Sequence, residues 1–178
     1  MTLRNEIINE IIEVEGGYGD DPSDSGGETN YGITKAVARK NGYKGKMIDL
    51  PRSVAFLIYQ EKYWDAISGN ALCILSDAVA REVADTAVNM GVSRASKILQ
   101  RALNAFNMGQ RLYPDLGIDG QIGENTVSSL RIYLLNRNED ALVKALNCLQ
   151  GAFYIELSER REKDEKFIYG WFRNRIKI

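Results

Sequence analysis

Between residues 3 and 15 the apolar positions Leu3, Ile7, Ile8, Ile11 and Ile12 recur at helical spacing. At about 100° per residue they form one stripe, with Glu6, Asn9, Glu10 and Glu13 opposite, which predicts an amphipathic helix over about residues 3–15. Glu15 falls near the centre of the apolar stripe and is the only glutamate of this helix pointed toward the core. Burial and the negative end of the helix dipole both disfavour a charged carboxyl there, the combination a general acid needs. Gly16-Gly17 offers a left-handed cap that turns the chain away without covering the carboxyl. Periodicity then stops: Asp20-Asp21-Pro22, Ser25-Gly26-Gly27 and Tyr31-Gly32 predict a short hairpin or irregular loop over residues 18–32.

Thr34 caps a second helix that runs to Asn41 and stops at Gly42, and Pro51 opens a third that reaches about Ile67. In the third helix Phe56, Tyr59, Tyr63 and Trp64 are core or cleft-wall residues. An alanine-rich helical pattern covers residues 72–90 and ends at Gly91; Ser93 caps the next helix, with Ile98, Leu99, Leu103 and Phe106 on one face. Glycines and Pro114 make residues 107–123 a long loop or a second small hairpin, and helices over about 124–136 and 139–161 follow, the second opening at Asn138. A tail carrying Phe167, Tyr169, Trp171 and Phe172 among basic residues closes the chain. The expectation is a mainly α fold in one compact body with at most two short β-hairpins, its lobes covering residues 1–91 and 92–178.

Composition narrows the chemistry. The sequence has no histidine, which excludes the usual Ser-His-Asp and Cys-His nucleophile systems and His-based zinc sites. Cys73 and Cys148 stand apart among apolar neighbours and read as reduced, buried thiols. Residues 1–90 hold 9 Lys+Arg against 14 Asp+Glu, whereas residues 91–178 hold 14 against 10. The second half therefore suits an anionic partner, with too weak an excess for nucleic acid. Charged residues interrupt Met1 to Val14, so neither a signal peptide nor a membrane span is expected, and the chain should accumulate in the cytoplasm, without stable membrane association.

Glu15-Gly16-Gly17-Tyr18, Asp21-Pro22-Ser23-Asp24, Gly26-Gly27 and Thr29-Asn30-Tyr31-Gly32-Ile33-Thr34 together form a long, specific motif. The sequence resembles the glycoside hydrolase family 108 lysozymes, N-acetylmuramidases found among bacteriophage endolysins and some secretion-associated proteins. Asp85, Ala87, Val88, Asn89 and Gly91 look like the family's second patch. Leu99-Gln100, Ala102-Leu103-Asn104, Asp119-Gly120, Ile122-Gly123 and Thr126 look like its C-terminal peptidoglycan domain. The resemblance implies a lysozyme-like helical fold and Glu15 as catalytic acid. It also implies bacterial peptidoglycan as substrate, cut at the β-1,4 bond between N-acetylmuramic acid and N-acetylglucosamine, and no cofactor. A monomer released through a holin from the host cytoplasm to the cell wall is the expected context, with a host secretion system as the other.

Glycoside hydrolysis needs a proton donor and a second carboxylate that activates water or stabilises positive charge. Asp24, nine positions beyond Glu15, is the choice for the second role, with Asp20, Asp21 and Glu28 as competitors and Thr29 or Asn30 holding the water. Asp24 equally fits a turn-capping aspartate. Tyr18 and Tyr31 are placed to stack on sugar or to pack the loop, and Asn89 to bind an acetamido group or cap its helix. A lytic transglycosylase, using Glu15 alone as acid and then base, and a noncatalytic peptidoglycan-binding or secretion-accessory protein are the alternative functions.

Overall fold

The computed structural model describes residues 2–20, 27–162 and 165–176. Among these the chain is mainly α, with one two-stranded antiparallel sheet, and it divides into two compact units at residues 66/67. By packing, residues 67–91 belong to the second unit.

The first unit begins with α1 (Leu3–Glu15), whose Ile7, Ile8 and Ile12 are buried as the stripe requires. It packs on α3 (Arg52–Tyr59), which buries Ala55, Ile58 and Tyr59. Arg52 at the start of α3 donates to Asn9 Oδ1 at 2.9 Å and Glu13 Oε1 at 3.3 Å, fixing the pair on its polar side. Between them come β1 (Thr29–Asn30), β2 (Ile33–Thr34) and α2 (Lys35–Lys40), the last capped by Thr34 Oγ1 accepting from Val37 N. A 3₁₀ turn spans Met47–Asp49, and α3 widens at its end into a π-helical stretch, Gln60–Asp65. Such a widening has no periodic signature, and the sequence reads it as continuous α-helix.

In the second unit the helix expected over residues 72–90 is two helices, α4 (Gly69–Leu75) and α5 (Asp77–Met90). Ser76 divides them: its backbone is extended and its Oγ accepts from Val79 N at 3.0 Å, so it acts as an N-cap. Helices α6 (Val92–Phe106) and α8 (Glu139–Arg160) pack with α5 around Val79, Val83, Leu99, Leu103, Leu142 and Leu146. α7 (Glu124–Asn136) lies against α4 and α6, and α9 (Glu165–Arg175) lies on α8. Trp171 stacks at 5.0 Å on Tyr154, and Phe172 sits where a Cβ on Gly151 would be 3.3 Å away.

Residues 107–123 form no second hairpin, because amide side chains on α6 take the loop's hydrogen bonds instead. Asn104 donates to Leu116 O at 2.9 Å and accepts from Leu116 N at 2.8 Å. Gln100, fully inside, donates to Asp119 Oδ1 at 2.7 Å and Gln121 O at 3.0 Å, and accepts from Gly120 N. With its backbone groups satisfied this way, the segment needs no strand partner. Both cysteines are free as expected, but neither is buried: Cys73 is half-buried and Cys148 exposed.

Candidate active site

Glu15 is the last residue of α1, and Gly16 follows with φ +80°, a left-handed backbone that suits glycine. Glu15 continues the Ile8 and Ile12 side of the helix, yet it is exposed rather than core-facing. The stripe runs past the end of the core it covers, which is why the burial expected from periodicity is missing. What the stripe does set is direction. A Cβ on Gly32 would come within 2.7 Å of Glu15 Oε2, 2.8 Å of Tyr59 Oη and 2.9 Å of Glu15 Cβ. Carboxylate and phenol therefore converge on the one position in the hairpin that carries no side chain.

That hairpin is built for close approach. Thr29 pairs with Thr34 and Asn30 with Ile33, leaving Tyr31 and Gly32 as a two-residue turn. Both have positive φ, 52° and 70°, as a type I′ turn requires. Tyr31 pays a strain of about 1 kcal/mol for this conformation, and its carbonyl accepts from Tyr59 Oη at 2.9 Å. Burial, and secondarily the negative charge of Glu15, hold the Tyr59 phenol well above the ordinary tyrosine range, so it stays a neutral donor. Tyr63 stacks on Tyr59 at 5.5 Å. Tyr59 was legible only as a core or cleft-wall aromatic; its i, i+4 spacing to Tyr63 was the available signal that both share a helix face.

The remaining candidates separate. Asn30 is buried, and its amide donates to Met47 O at 2.8 Å and Ile48 O at 3.3 Å. It pins the hairpin to the 3₁₀ turn through its amide nitrogen. Thr29 pairs through its backbone with Gly19, N to O distances 3.0 and 2.8 Å, and its Oγ1 makes a long 3.4 Å bond to Gly19 O. Asp21 and Asp24, which fall between this pair in the sequence, lie outside the described residues. Tyr18 is exposed and donates to Glu28 Oε1 at 3.2 Å. Partial desolvation, then the charges of Asp20 and Glu28, raise its phenol. Glu28 also pairs with Lys35, whose hydrogen bond holds the Glu28 carboxyl below the usual range. A carboxylate so committed is a poor second catalytic group. Asn89 lies in the second unit, where its amide donates to Asp85 O at 2.8 Å and Asp85 Oδ2 at 3.1 Å. Asp85 is shared with Arg175 of α9, at 3.3 Å. No group of three or more potential metal ligands occurs among the described residues.

A mainly α chain whose first helix delivers an acid to a tight hairpin turn has a lysozyme-like fold, the class of the carboxylate glycosidases. Residues 8–91 match the Glycosyl hydrolase 108 family, and residues 94–176 match the Predicted Peptidoglycan domain. Among solved structures, that of Brucella abortus SagA is similar at 25% identity over 96% of each chain, with a TM-score of 0.63. Comparison with curated proteins gave no match. The first half of the chain is thus similar to a glycosidase family and the second to a peptidoglycan domain.

Proposed function

We propose that the chain hydrolyses the β-1,4 bond between N-acetylmuramic acid and N-acetylglucosamine in peptidoglycan, with Glu15 as proton donor. The observation that carries this reading is the convergence of Glu15 and Tyr59 on Gly32, which sets an exposed carboxyl beside a turn residue that has no side chain of its own. A glycan strand laid over the turn excludes water from the carboxyl and brings the glycosidic oxygen to it. Glu15 transfers its proton to that oxygen as the bond breaks, and Asp24 activates water or stabilises the anomeric carbon. Residues 1–91 carry the cleavage and residues 92–178 hold the wall. Release as a monomeric endolysin through a holin lesion is the delivery we favour; no helix among the described residues is long and apolar enough to cross a membrane.

A transglycosylase, the second reading, gains support because Glu15 is the described carboxylate at the turn that no salt bridge engages, whereas Glu28 is held by Lys35. Digestion of purified sacculi followed by mass spectrometry separates the two. Reducing N-acetylmuramic acid ends support hydrolysis, 1,6-anhydro ends support the transglycosylase, and absence of any cleavage leaves a binding protein.

A further inference from the structure

The excess positive charge of the second half is concentrated at a cavity of about 390 Å³ between α6 and α8. Arg94, Lys97 and Arg101 project from one face of α6 at spacings of three and four, all three exposed. The Arg94 guanidinium carbon stands 3.8 Å from the centroid of the Phe153 ring. A guanidinium stacked on an aromatic face keeps its edge donors free for a planar anion. Among the described residues none of the three cations forms a salt bridge, while the one acid on the rim, Glu156, pairs with Arg160 at 3.4 Å. The lining also includes Ser93 in the first turn of α6, where free backbone amides and the helix dipole favour negative charge. Gly120 seats the preceding loop on this face: a Cβ there would meet Ser93 O at 3.0 Å and Lys97 Cε at 3.1 Å. The loop thereby holds the Lys97 stem in place and reduces the ordering cost of binding.

We propose that this cavity binds the free carboxylates of the peptidoglycan stem peptide, a reading that rests on peptidoglycan being the substrate. The three cations span about 10 Å of helix, the reach of about three extended residues. Ile98, Leu149 and Phe153 supply apolar wall for the peptide's aliphatic portions. A short peptide with successive carboxylates fits that combination better than an isolated anion does.

The test is calorimetric titration of the full chain with a synthetic tripeptide of alanine, γ-linked glutamate and diaminopimelate. Its carboxamide counterpart and inorganic phosphate are the comparison probes. Binding of the free acid is expected to weaken at least about tenfold in the Arg94→Ala/Arg101→Ala double variant and on amidation of the peptide. Arg94→Lys, which keeps the charge and loses the stacked fork, should fall between. If the double variant fails to fold by circular dichroism, Lys97→Ala, a change at an exposed stem, carries the same comparison. Absence of binding, equal binding of the carboxamide, an unchanged affinity in the variants, or phosphate binding as tightly as the tripeptide overturns the proposal. The last outcome would assign the cavity to phosphodiester polymers instead. The tripeptide contains no glycosidic bond, so failure here leaves the glycosidase reading standing, and failure of cleavage leaves this one.

Discussion

At the residue scale, the smallest side chain of the site is the most constrained. Gly32 has φ +70° and stands where a Cβ would press on both Glu15 and Tyr59. Gly32→Ala should therefore destabilise the protein by about 1–3 kcal/mol and cut wall cleavage at least tenfold, checked by urea denaturation and release of soluble wall fragments. Tyr59→Phe removes the donor to the Tyr31 carbonyl and should cost about 1 kcal/mol, with a smaller activity loss than Gly32→Ala. Sequence pattern placed Glu15 on the Ile8 and Ile12 side of α1, because helical spacing sets which way a side chain leaves its helix, and that survives at the last turn. It overstated the burial, since periodicity carries no information on where the partner surface ends. The anchoring of Asn30 was not legible for a related reason: its amide nitrogen donates to carbonyls of Met47 and Ile48, well along the chain, and nothing in the local motif reports a tertiary bond.

At the element scale, the break between α4 and α5 turns on Ser76. Its Oγ satisfies the Val79 amide, and Ser76→Ala should lower stability by about 1 kcal/mol without altering cleavage, measured by chemical denaturation alongside a turnover assay. The Ser-Asp pair ahead of an apolar run was a legible helix start, masked by the alanine-rich periodicity that continues across it. Helices α1, α7 and α8 were legible nearly to the residue; α1 stops at Gly16 and α8 opens at the Asn138 cap. The segment 107–123 was legible as a long loop, but its order was not, because that comes from Gln100 and Asn104 reaching across from α6 rather than from its own residues.

At the scale of the whole molecule, three buried phenols predict how stability depends on pH. Burial raises Tyr113 and Tyr154 to about 12, and Tyr59 further still. The folded state thus holds these protons more tightly than the unfolded chain, whose phenols titrate near 10. Their contribution is complete below about pH 10 and is lost as pH rises through about 12. Urea midpoints should be level with respect to these groups up to pH 10 and fall between pH 10 and 12, and Tyr113→Phe should flatten that fall. The most direct test of function also uses the intact chain. Wild-type protein and Glu15→Gln are incubated with purified sacculi, and the products are read by mass spectrometry. Wild type should release fragments ending in reducing N-acetylmuramic acid, while Glu15→Gln, folded as judged by circular dichroism, should release none above background. Turnover by Glu15→Gln at the wild-type rate would contradict the assignment of Glu15 as the acid.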